Sequence, residues 1–82
     1  MYTMIEFSKE AIGTAIRCLR KEKGLSQEVL SGLAGLARSH LAMIETGIKQ
    51  ANFETIWRIA SALEIPPHEL VRKIEQKAQE RE

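Results

Sequence analysis

The stretch Leu25-Ser26-Gln27-Glu28-Val29-Leu30-Ser31-Gly32-Leu33-Ala34-Gly35-Leu36-Ala37-Arg38-Ser39-His40-Leu41-Ala42-Met43-Ile44-Glu45-Thr46-Gly47 decides the fold. Ser26 is a good N-cap, because its hydroxyl can accept from an N–H of the first helical turn. Leu30 and Leu33 follow at helical spacing and are read as facing inward. Gly35 supplies the positive φ that a steep turn between two helices requires. A second helix is expected from about Ala37 to Thr46, with Leu41 and Ile44 inward, and Gly47 ends it. Small residues must sit where the two helices cross, which suits Ser31 and Ala34.

Working outward, Ser8 is placed to cap an earlier helix, with Phe7 and Ile12 spaced for a hydrophobic staple. Ile12, Ala15, Ile16 and Leu19 form one apolar stripe. Lys21 and Lys23 lie where the helix dipole favours cations, and Gly24 closes the segment. Downstream, Asn52 caps a helix whose stripe is Ile56, Ile59, Ala60 and Leu63. Ile65, Pro66 and Pro67 break the chain, with Pro67 suited to the first position of a last helix. That helix carries Leu70, Val71 and Ile74, and after Glu75 only Ala78 is apolar. The expected fold is all-α, with five short helices around one core. Residues 8–75 form the domain, 1–7 an N-terminal arm and 76–82 a polar tail. The arm cluster of Tyr2, Met4, Ile5 and Phe7 either packs on the body, packs on a second subunit, or frays.

Eighty-two residues are room for one domain. A chain this short buries only about 60% of its unfolded surface and needs stabilisation beyond a simple core. Cys18 is the single cysteine and the two histidines are distant from it, so no disulfide or metal site is expected, and no cofactor. Cys18 reads as a packing residue. No apolar run approaches the roughly 20 residues of a membrane span, and Met1 to Phe7 lack the pattern of a secretory signal. A cytoplasmic location and no membrane partner are expected. Net charge is only +1. Between Arg17 and Lys49, however, six cations face three carboxylates, a local excess of +3. That is a modest footprint for a polyanion.

The quoted stretch resembles the helix-turn-helix of phage lambda-repressor and Cro-type regulators, the XRE family. The resemblance continues in Ile16-Arg17-Cys18-Leu19-Arg20 upstream and in Phe53-Glu54-Thr55-Ile56-Trp57-Arg58-Ile59-Ala60-Ser61-Ala62-Leu63 downstream, so it covers about residues 12 to 71. It implies a five-helix, lambda-repressor-like DNA-binding domain whose third helix enters the major groove while the second crosses the backbone. Free-standing relatives of this length include restriction–modification controllers and small phage-type repressors.

The resemblance also implies site residues. At about 100° per residue Arg38, Ser39, Ala42, Met43 and Thr46 lie away from Leu41 and Ile44. Of these the resemblance makes Arg38, Ser39 and Met43 base readers, with Ala42 added by its place on the same face. Arg38 has the chemistry for a bidentate pair with guanine. Met43 either meets a thymine methyl or packs at the margin, and Ser39 bonds either a base or a phosphate. Backbone contacts would come from Ser26, Gln27, His40, Thr46, Lys49 and Asn52, helped by the attraction of helix N-termini for anions. Arg20 and Glu45 match a partly buried ion pair that orients the recognition helix. Trp57, Ile65, Leu70, Val71 and Ile74 are candidates for a two-fold interface, with Trp57 alternatively a half-buried core residue. Several positions depart from the pattern. Ala37 stands where a capping serine or threonine is usual, Ala51 where proline is frequent, and Gly32 weakens the second helix.

The expected function is sequence-specific binding of double-stranded DNA by a homodimer that regulates transcription. The alternative is a module that mainly binds another protein, in the manner of an antitoxin or adaptor. An enzyme is not expected: His40, His68 and Cys18 have no catalytic or metal-ligand spacing, and a short helical bundle has little room for a deep pocket.

Overall fold

The computed structural model describes residues 4–80. Tyr2, part of the expected arm cluster, and the last two residues of the expected tail lie outside them. Five helices follow in chain order: α1 Lys9–Glu22, α2 Gln27–Ala34, α3 Arg38–Glu45, α4 Phe53–Ala62 and α5 Pro67–Glu80. Among the described residues there is no strand.

The helix starts follow from short polar side chains. Ser8 Oγ accepts from the Ala11 N–H at 3.0 Å, Ser26 Oγ from the Val29 N–H at 3.0 Å, and Asn52 Oδ1 from the Thr55 N–H at 2.8 Å. Ala37 offers no side-chain cap to α3, as expected. The turn between α2 and α3 places Gly35 at φ 72°, and its N–H and that of Leu36 close on the last carbonyls of α2. At the end of α4 a left-handed residue is again needed, and here Glu64 takes it, at φ 61°.

α1 packs on α3 and α5, α2 on α3 and α4, and α4 on α5. The core inside this ring holds Ile16, Leu30, Leu41, Ile44, Ile59, Leu63 and Leu70, all fully buried. Each such side chain contributes roughly 1.5–3 kcal/mol by leaving water. Ser31 and Ala34 are buried at the α2 crossing, as their size predicts.

Four expectations are corrected. Leu33 is 63% exposed. At about 100° per residue the inward face of α2 is centred on Leu30 and Ala34, which leaves Leu33 at its edge and turned out. Phe7 does not close over Ile12 but stands exposed. Residues 76–80 are not a tail, because α5 continues to Glu80 and Ala78 is buried. One small apolar residue at the right helical position suffices to seat an otherwise polar turn. Leu70 is wholly buried, so it belongs to the core and not to an interface.

Candidate nucleic-acid interface

α3 is held from behind. Arg20 reaches from α1 and donates twice to Glu45 at the end of α3, Nε to Oε2 at 2.7 Å and Nη2 to Oε1 at 3.0 Å. Its third nitrogen donates to the Leu25 carbonyl at 2.8 Å. Gln27, the first residue of α2, donates its amide to Glu45 Oε1 at 3.0 Å. Three helices therefore converge on one carboxylate whose side chain is only 2% exposed. The hydrogen bond to Glu45 holds the Arg20 guanidinium above its ordinary range, outweighing the opposing effect of burial. Such a bidentate, doubly anchored geometry fixes the rotation of α3 as well as its distance.

The opposite edge of α3 is open. Arg38, Ser39 and Thr46 are exposed, while His40, Ala42 and Met43 are half-buried. Arg38 owes its exposure to being the first residue of α3, before the helix tucks Leu41 and Ile44 against the core. Thr46 spends its hydroxyl hydrogen on the helix itself, near the Ala42 and Met43 carbonyls at 3.1 and 3.2 Å. Only its lone pairs face outward, which disfavours a contact with a phosphate oxygen. Gln27 is also partly committed, since one amide hydrogen is held by Glu45 and the second remains.

The loop after α3 is tied down by backbone. The N–H groups of Ile48 and Lys49 both donate to the Met43 carbonyl, at 3.0 and 3.1 Å. Lys49 is exposed on this anchored loop, and Asn52 at its end is exposed with its Oδ1 engaged as the α4 cap. Ser26, Gln27, Arg38, Ser39, Lys49 and Asn52 thus sit at helix starts or on a braced turn, where donors are presented to solvent.

A separate apolar surface lies on α4 and the start of α5. Trp57 is 54% exposed and stands edge-on to Phe53, ring centres 6.0 Å apart. Val71, Pro67 and His68 complete the patch. Trp57 is therefore not a core residue. Ile65 and Ile74 pack against the core and are half-buried, so of the five interface candidates Trp57 and Val71 are the most open to a partner and Leu70 is closed to one. Sequence reasoning gave Phe53 no role. Its spacing of four residues from Trp57, on one helical face, was the available signal.

No helix among the described residues is long and apolar enough to cross a membrane.

Comparison with known proteins agrees with this architecture. The family model described as Helix-turn-helix matches residues 16–70. A protein of Sinorhizobium fredii (strain NBRC 101917 / NGR234), named as the HTH-type transcriptional regulator y4dJ, is 32% identical over 63 residues, which are 77% of this chain and 82% of that one. The restriction-modification controller protein C.AhdI from Aeromonas hydrophila is 42% identical, with a TM-score of 0.73 over 76% of this chain and 94% of that one. The controller C.Esp1396I, solved as a tetramer in complex with its natural 35 base-pair operator, shares the fold. Its TM-score is 0.82 at 22% identity, over 90% of this chain and 97% of that one.

Proposed function

The chain belongs to the helix-turn-helix family of transcriptional regulators, and from that premise we propose that it binds double-stranded DNA sequence-specifically, as a homodimer on a partly palindromic operator. The observation that carries this reading is the Arg20–Glu45–Gln27 network. It locks α3 to α1 and α2 and leaves the Arg38 edge free. A helix held rigidly with one polar edge exposed is pre-organised to enter a major groove.

In this reading Arg38 and Ser39 read base edges near the start of α3. Ala42 and Met43, half-buried on the next turn, offer methyl groups to thymine. Ser26, Gln27 and Asn52 grip phosphates from helix N-termini and Lys49 does so from the braced loop, with His40 at the margin. Thr46 adds only shape. The likeness to C.AhdI favours a controller-type regulator, and the operator complex of C.Esp1396I illustrates what this fold accommodates. The Phe53–Trp57–Val71 patch supports a two-fold partner, since exposed aromatic clusters of this kind are typical of interface centres. Two modules would then cover half-sites about one helical turn apart. A cytoplasmic site of action belongs to the same reading.

Selection of bound duplexes from a random library, together with the mass of the protein in solution, tests it. A two-fold symmetric consensus and a dimer are expected. A monomer that selects no sequence would overturn it. The second reading, a protein-interaction module that does not depend on DNA, draws on the same apolar patch and the net charge of +1. It is favoured instead if fragments from around the gene give no specific gel shift at low or moderate salt while a defined protein co-purifies with the chain.

A further inference from the structure

We propose that Arg17 of α1 is an additional backbone-gripping residue, donating to a phosphodiester oxygen of the bound duplex at a notch between α1, α2 and α3. This rests on the duplex-binding reading above and extends the contact surface to a helix that otherwise serves only as support.

Arg17 is exposed and lines a shallow notch with Arg20, Gln27, Glu45 and Thr46. The notch opens between the first residue of α2 and the last turn of α3, the two elements proposed to straddle the duplex. Its floor carries no net charge, because Arg20 and Glu45 neutralise each other. Both carboxylate oxygens of Glu45 already accept hydrogen bonds, Oε2 from Arg20 and Oε1 from Arg20 and Gln27. With 2% of its side chain exposed, Glu45 presents little repulsion to an incoming anion. What remains facing the notch is the single positive charge of Arg17.

Among the described residues no carboxylate competes for that charge. Among the described residues, Arg58 pairs with Glu54, Lys73 with Glu22 and Lys77 with Glu80, while Arg17 meets no carboxylate within 4.0 Å. A guanidinium with five donors matches a phosphate diester in charge and in fork geometry. Lys21, four residues on, extends the same edge of α1. A contact here would position the module without reading sequence.

The test compares the wild type with Arg17→Gln on the selected operator and on a random duplex of equal length, from 50 to 200 mM salt. The salt slope is expected to fall by about one on both duplexes, and affinity at 0.1 M salt by roughly three- to tenfold. Arg17→Lys should keep most of the slope. Arg72→Gln, on the α5 side of α1, should change neither quantity. The melting temperature of Arg17→Gln should match the wild type, since the residue is exposed. An unchanged slope overturns the proposal, as does a loss confined to the operator, which would make Arg17 a base reader. If the wild type binds neither duplex, the underlying reading fails, and this is seen before any variant is compared.

Discussion

Gly13 in α1 lies directly against the Ile44 backbone carbonyl in α3. A Cβ at Gly13 would meet that oxygen, and it would stand 2.6 Å from the carbonyl oxygen of Glu45. The close approach of these two helices is what lets Arg20, two turns further on, reach Glu45 in a bidentate fork.

Gly13→Ala should therefore destabilise the domain although alanine is the better helix former. The helical gain of about 1 kcal/mol is outweighed by overpacking against rigid backbone, for a net loss of roughly 1–3 kcal/mol. Gly32→Ala should do the reverse, because nothing lies within 4 Å of its Cβ position. A gain of about 0.5–1 kcal/mol is expected there. Thermal melts of the two variants should move in opposite directions.

Glu45→Ala should be among the costliest single changes, roughly 3–5 kcal/mol, because it leaves Arg20 charged and without a counter-charge, held only by the Leu25 carbonyl, with its side chain only 11% exposed. The double variant Arg20→Met with Glu45→Leu should lose much less, since no buried charge is then orphaned. Denaturant titration of the two singles and the double resolves this. Equal losses for Glu45→Ala and the double would show that the pair acts through packing alone.

Arg38→Ala should relax base preference at one position of each half-site by roughly 1–3 kcal/mol of discrimination. Lys49→Ala should weaken binding evenly across sequences and lower the salt slope by about one. Repeating the library selection with each variant separates them. An unchanged consensus for Arg38→Ala would remove it from the base-reading set.

Trp57→Ala should shift a dimer towards monomer in sedimentation with little change in the monomer fold, because its ring is largely exposed. Leu70→Ala should act in the opposite sense, costing roughly 2–5 kcal/mol of folding stability through a core cavity. If Trp57→Ala leaves association untouched, the two-fold surface lies elsewhere.

Ala37→Ser should stabilise α3 by about 1 kcal/mol by supplying the absent cap. For a domain of this size that is a rise in melting temperature of about 4–8 °C.

Local chemistry, written in consecutive residues, determined most of this architecture. Ser8, Ser26 and Asn52 announce helix starts, Gly35 the turn, and the stripes through Ile16, Leu41, Ile44 and Ile59 the core, because capping and helical periodicity act within a few residues of each other. The Arg20–Glu45 pair was legible through the family resemblance, not through spacing. Tertiary packing decided the rest. The outward turn of Leu33, the burial of Leu70 and Ala78, the tight seat of Gly13 and the capture of Gln27 by Glu45 all depend on which helix lies opposite. A helix has more than one flank that could face inward, and only its neighbours in space choose among them.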